Sequence, residues 1–151
     1  MATKPIRSAS YDQDFHAWAL QNARALRAGR LSEIDAEHIA EELESMGAAE
    51  KRELLNRLQV LIVHLLKHQF QPERRGKSWL LTIRHQRTGI ERLLEQSPSL
   101  QNSLTGAKVQ SVYEKAVKDA VLEADLDLVC IPPECPYALD QLLDEDYLPE
   151  V

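Results

Sequence analysis

The residues with most chemical potential in this 151-residue chain are five histidines, a band of glutamates and a basic turn. His64 and His68 stand four apart. That spacing turns both imidazoles toward one helix face, where they could hold a metal ion. A metalloprotease helix needs glutamate directly after the first histidine, and Leu65 occupies that place. A di-iron bundle needs Glu-x-x-His on two helices. Here only Asp35-Ala36-Glu37-His38 comes near, with aspartate in the glutamate position, and it occurs once. A metal-dependent enzyme using His64 and His68 therefore ranks third among three functional readings.

Carboxylates offer a second constellation. Glu37, Glu41 and Glu44 share a helix face, and Glu42 lies four beyond His38. General acid–base work needs two carboxyls in contrasting environments. Successive turns of a solvated helix face do not provide that contrast, so these glutamates read as the polar side of an amphipathic helix.

Lys67, His68, Arg74, Arg75, Lys77, Arg84, His85 and Arg87 surround one turn, with Trp79 beside it. An antiparallel hairpin of residues 48–69 and 78–96 would set position 64 opposite 84 and 61 opposite 87. Arg84 or Arg87 would then lie beside His64. Lys67, Trp79, Arg84 and Arg87 are the expected ligand contacts, because arginine forks take phosphate and an indole stacks on a base. Gln86 and Arg87 also interrupt an apolar stripe. A charge there must reach water or a partner. It either joins an internal polar network that fixes helix register, the commoner arrangement, or lines a small polar pocket with His64. No glycine-rich phosphate loop, nucleophile elbow or Cys/His catalytic signature is present, so no cofactor is implied.

The elements that must position these residues read as helices. Ser10-Tyr11-Asp12-Gln13 has the form of a capping box, predicting a helix with Tyr11, Phe15, Trp18 and Leu26 near one face and Gly29 as its stop. A second helix is expected from Ser32 or Asp35, with Ala36, Ile39, Ala40, Leu43 and Met46 as its apolar stripe. Gly47 predicts a kink or short break. The longest helix then runs from about 48 to 69, with Leu54, Leu58, Leu61, Leu65 and His68 inward, and Leu55, Ile62 and Leu66 widening the stripe. Ser78 is the expected cap of a helix burying Trp79, Leu80, Ile83, Ile90, Leu93 and Leu94. Ser97-Pro98 reads as a further cap. A last long helix is expected over 104–124, with Val109, Val112, Ala116, Val117, Ala120 and Val121 inward. Ile131-Pro132-Pro133-Glu134-Cys135-Pro136 cannot be regular helix, and Cys135 is the expected cap of a short helix beyond it. No segment alternates with period two. The fold class is all-α: a bundle of about five helices with a docked irregular C-terminal segment, residues 1–9 as a tail and 10–151 as one domain.

Composition narrows the classes further. Apolar residues are 44% and charged residues 28%, a globular balance that excludes disorder and fibrous repeats. The longest central apolar run, Val60 to Val63, is far short of the roughly 20 residues a membrane span needs. The N-terminus lacks the apolar core of a secretory signal, so a cytoplasmic location is expected. Cys130 and Cys135 make neither a disulfide framework nor a zinc motif. Net charge is −4 over residues 1–50, +6 over 51–95 and −8 over 96–151. The basic middle is expected to pair with the acidic flanks.

Glu41-Glu42-Leu43-Glu44-Ser45-Met46-Gly47 resembles a segment of the bacterial family known as domain of unknown function twenty-nine. So do His64-Leu65-Leu66-Lys67, Gln71-Pro72-Glu73, Ser78-Trp79, Thr82-Ile83 and Gln86-Arg87. Pro133-Glu134-Cys135-Pro136-Tyr137, Gln141-Leu142-Leu143-Asp144 and the N-terminal Tyr11, Asp14 and Trp18 fit as well. The resemblance spans about residues 10 to 149. His68 departs from it, since an aromatic or other apolar residue is usual there. The resemblance implies a small helical protein and supplies no activity. The leading expectation is a non-enzymatic protein-interaction module, as a homodimer or with another protein. An anionic-ligand or nucleic-acid binder acting through residues 67–87 is second.

Overall fold

The structure, a computed structural model, describes residues 10–150, and the expected tail lies outside them. Five α-helices follow one another: α1 (Phe15–Arg27), α2 (Ala36–Phe70), α3 (Lys77–Gln96), α4 (Gly106–Ala124) and the short α5 (Leu139–Leu143), with four 3₁₀ turns between them. No strand occurs among the described residues, so the all-α class holds. The chain divides into two compact units at Gly47, inside α2.

Helix α2 is continuous for 35 residues, and Gly47 does not break it. A mid-helix glycine costs only about 1 kcal/mol relative to alanine. Strong helix formers on both sides (Glu44, Met46, Ala48, Ala49) outweigh that cost.

In the first unit, α1 begins later than the capping-box spacing implies. Asp14 is its N-cap, accepting from the Ala17 amide at 3.0 Å, while Ser10 Oγ accepts from Gln13 N in the preceding turn. Gly29 ends α1 at φ 71°, a left-handed conformation that costs glycine little. Arg30 N then donates back to Ala25 O at 2.9 Å, closing the helix end. A 3₁₀ turn, Leu31–Glu33, leads to Asp35, whose backbone and side-chain oxygens receive the first amides of α2. The apolar interior here is small. Trp18 and Ala25 are buried, whereas Phe15 and Leu26 of the expected inner face are exposed. The α2 stripe is exposed too: Leu43 is 64% and Met46 65% accessible.

The second unit holds the large core. Leu54, Leu58, Leu61 and Leu65 of α2 are essentially inaccessible, as the alternating spacing predicts. They pack with Ile83, Ile90 and Leu93 of α3 and with Val109, Val112, Tyr113, Ala116 and Ala120 of α4. Helix α3 starts at Lys77 with Gly76 as its N-cap rather than Ser78, and Leu80 is exposed. Ser97 does not cap a helix with its side chain. Its hydroxyl donates to Glu50 Oε2 at 2.8 Å, and a 3₁₀ stretch, Pro98–Ser103, follows. Thr105 caps α4, and Asp125 ends it in the left-handed region at φ 51°, which aspartate tolerates better than most residues. Ala138, not Cys135, precedes α5. Gln141 Oε1 accepts from the Ala138 amide at 2.9 Å, and the Cys135 thiol lies 3.5 Å from Tyr137 O.

Candidate functional site

In the basic hairpin, Lys67, Arg75 and Arg87 have internal partners. Lys67 is buried. Its Nζ donates to Glu123 Oε2 at 2.7 Å and lies 5.9 Å from the Trp79 ring centroid. Lys67 and Trp79 are thus brought together, but the ammonium is already paired. Arg75 Nε donates to His68 O at 2.6 Å. Arg84 is exposed and shares a small cleft with Arg87, Glu145 and Asp146, so basic α3 faces the acidic C-terminal segment.

Arg87 has the most partners of these residues. It is 5% accessible and donates to four main-chain carbonyls: Leu142 at 3.0 Å, Tyr147 at 2.7 Å, Gln141 at 3.1 Å and Glu145 at 3.5 Å. A guanidinium has five N–H groups in a rigid fork, which suits it to gather carbonyls from a curved segment. Burial pushes its pKa down from the ordinary range, and Asp144, Tyr147 and Asp146 oppose that. Arg87 therefore fastens the irregular C-terminal segment onto α3. It joins a polar network, and His64 lines neither of the clefts that flank it.

The two helix histidines do not converge with the arginines. His64 Nδ1 bonds Val60 O at 2.9 Å on its own helix. Burial, with a smaller effect from Lys67, holds its pKa below the ordinary value. His68 is buried with Nδ1 unpartnered by any protein group, and the backbone of Pro149 interacts with the ring. Burial and Arg75 lower its pKa as well. Among the described residues, no group of three or more His, Cys, Asp or Glu side chains is placed to hold a metal ion.

A second constellation lies in the first unit, built on Asp35 and His38 of the near-miss metal motif, Tyr11 and Trp18 of the N-terminal helix face, Glu42, and Asn22, which no sequence motif marks. Asp35 Oδ2 accepts from Trp18 Nε1 at 2.9 Å and pairs with His38 Nδ1 at 2.7 Å. The Asp35 amide donates to Asn22 Oδ1 at 2.7 Å, and Asn22 Nδ2 donates to Trp18 O at 2.8 Å. Tyr11 stacks on the His38 ring with centroids 4.2 Å apart and planes within 11°, and its hydroxyl bonds Glu42. These bonds act in place of a larger apolar core, tying residues 10–14, α1 and the start of α2 together. Hydrogen bonds from His38 and Trp18 hold the Asp35 pKa down, and the Asp35 carboxylate raises that of His38. The Glu42 hydrogen bond pushes Tyr11 up to about 12. A cleft of about 1010 Å³ opens beside this cluster, with Arg24 and Arg30 on its wall. The signal that could have found it is the Asp35/His38 spacing of three at a helix start, read together with Tyr11 and Trp18.

A family model described as Domain of unknown function DUF29 matches residues 10–148. The chain belongs to this family. Its model takes in both units, from the Tyr11 turn to the segment fastened by Arg87. No curated protein and no solved structure matches the chain.

Proposed function

We propose that this DUF29 protein is a protein-interaction module that docks through the apolar stripe on the N-terminal half of α2, and that the partner is a second copy of the chain. One observation carries the reading. Ala36, Ile39, Leu43 and Met46 recur at three, four and three, the repeat of a helix-pairing seam, and Leu43 and Met46 are about two-thirds exposed. Leu20, Leu26 and Leu31 of the same unit are exposed as well. Apolar side chains concentrated on one small unit mark an interaction surface more than scattered surface leucines do.

A second copy fits the chemistry. Glu37, Glu41 and Glu44 lie on the opposite side of the helix from the stripe, so pairing two stripes keeps the carboxylates apart. Ala40 and Gly47 at the stripe's margin let two helices approach closely. A self-complementary patch closes as a two-fold dimer and leaves no sticky end. The area is small, so the dissociation constant should be on the order of 10–100 µM. A bacterial cytoplasmic setting suits this reading, since Cys130 and Cys135 are both free thiols and Cys130 is exposed.

Sedimentation velocity over a concentration series tests the proposal, with the wild-type chain beside a Leu43→Glu, Met46→Glu double variant. The wild type should shift from monomer to dimer, and the variant should stay monomeric with unchanged helix content. A wild-type monomer at every concentration, or a dimer that survives both substitutions, overturns it.

A further inference from the structure

We infer that the cleft beside Asp35 and His38 binds a small multivalent oxyanion, with His38, Arg24 and Arg30 as the charged contacts. Several polar groups in the cleft already have partners. Asp35 receives Trp18 Nε1, His38 Nδ1 and the His38 amide, so its charge is compensated. Asn22 uses its carbonyl oxygen and one amide N–H within the network. Glu33 pairs with Arg30 Nε at 3.2 Å. Asp12 adds a carboxylate to the lining, and the charged donors left over are those of His38, Arg24 and Arg30. With Nδ1 held by Asp35, His38 has Nε2 left, and no described group bonds it. Arg24 lines the same cleft without a hydrogen bond or ion pair among the described residues, and Arg30 keeps its terminal nitrogens.

The backbone builds this arrangement locally. Arg24 sits in the last turn of α1, and the left-handed Gly29 turns the chain so that Arg30 returns to the same wall. Tyr11 stacked on the imidazole fixes the plane in which Nε2 points. A guanidinium fork and an imidazolium N–H are donors without acceptor capacity, the complement of a phosphoryl or polycarboxylate group. The cleft's volume of about 1010 Å³ exceeds a bare phosphate ion, so the oxyanion is expected to be one end of a larger small molecule.

The groups facing His38 set how binding depends on pH. Asp35 and Glu41 of the α2 region and Asp12 of the N-terminal turn all favour the imidazolium, and Tyr11 covers the ring. Asp12, Arg24, Arg30 and Glu33 share the cleft wall. Oxyanion affinity should therefore fall as pH rises through the titration of His38.

The test is a titration of the full chain at constant ionic strength, with inorganic pyrophosphate in one arm and citrate in the other, read on the His38 imidazole resonances. Saturable shifts with pyrophosphate assign the cleft to phosphoryl groups, and saturable shifts with citrate alone assign it to carboxylates. Both arms should weaken as pH rises. Arg24→Gln alters an exposed side chain that takes no part in the Asp35 network, and should weaken binding about ten-fold with the wild-type fold retained. His38→Gln, read by calorimetry because it lacks that imidazole, should weaken binding at least as much and remove the fall in affinity with rising pH. Shifts that are non-saturable with both anions, or equal affinity in Arg24→Gln, overturn the inference.

Discussion

Replacing Arg87 by methionine removes the fork that fastens the C-terminal segment while keeping a long apolar stem in the α3 stripe. Four carbonyl acceptors lose their donor. Glu145 is exposed, so its carbonyl can return to water, and its bond is the longest at 3.5 Å. The Leu142 carbonyl belongs to an inaccessible residue and cannot rehydrate without movement. A buried acceptor left unpaired costs about 1–3 kcal/mol, and hydrogen bonds to a charged donor contribute about 1.5–3 kcal/mol each. Desolvation of the buried guanidinium offsets part of this. The net loss should be about 3 kcal/mol, enough to lower a urea midpoint by more than about 1 M yet leave the chain folded. Arg87→Lys keeps charge but not the fork, and should lose about half as much. Hydrogen exchange reads the mechanism directly: the amides of Leu142, Asp144 and Tyr147, which donate to Ala138, Asp140 and Asp144, should lose protection before those of α2. A loss below about 1 kcal/mol with unchanged protection there would refute the assignment of Arg87 as the fastener.

Acidification should act oppositely on the two units. His64 and His68 have lowered pKa values, so the stability they give is full above the unfolded value near 6.5 and is lost as pH falls toward their folded values. His38 is raised, so its contribution is full below the unfolded value and is lost as pH rises through its folded value, while Asp35, lowered, stays ionised throughout. Hydrogen exchange at pH 5 and pH 7.5 should therefore show α2–α4 core amides less protected, and α1 amides more protected, at the lower pH. Gly47→Ala should stabilise α2 by about 0.5–1 kcal/mol, because a Cβ there meets no atom within 4 Å and the helix is continuous; thermal unfolding followed by circular dichroism checks this.

The parts of the fold legible in the sequence are those where burial and periodicity agree. Leu54, Leu58, Leu61 and Leu65, and Val109, Val112, Ala116 and Ala120, were marked by spacing alone and are all buried. The helix ends were less legible: Ser10 and Ser78 are good capping types that neighbouring Asp14 and Gly76 displace, and α5 follows Ala138, whose side chain offers no cap, with Gln141 bonding its amide instead. The stripe from Ala36 to Met46 shows the limit of periodicity. The pattern says which residues share a face, and whether that face is covered depends on what packs there. Arg87 was legible as a charge that must find a partner, but its partners are backbone carbonyls, and carbonyls carry no residue type for a sequence to display. The Asp35–His38 pair was hidden because its other members, Trp18 and Tyr11, come from elements 17 or more residues away.

The central claim is that the α2 stripe is covered by a second copy of the chain, and Met46 is its natural reporter. The chain has only two methionines, Met1 and Met46, so a methyl-labelled sample gives a spectrum that one substitution assigns. On raising the concentration from micromolar to millimolar, the Met46 methyl should shift and become shielded from a soluble paramagnetic probe, and Leu43→Glu should abolish both changes. A Met46 methyl that keeps one position and full exposure to the probe at every concentration would contradict the account.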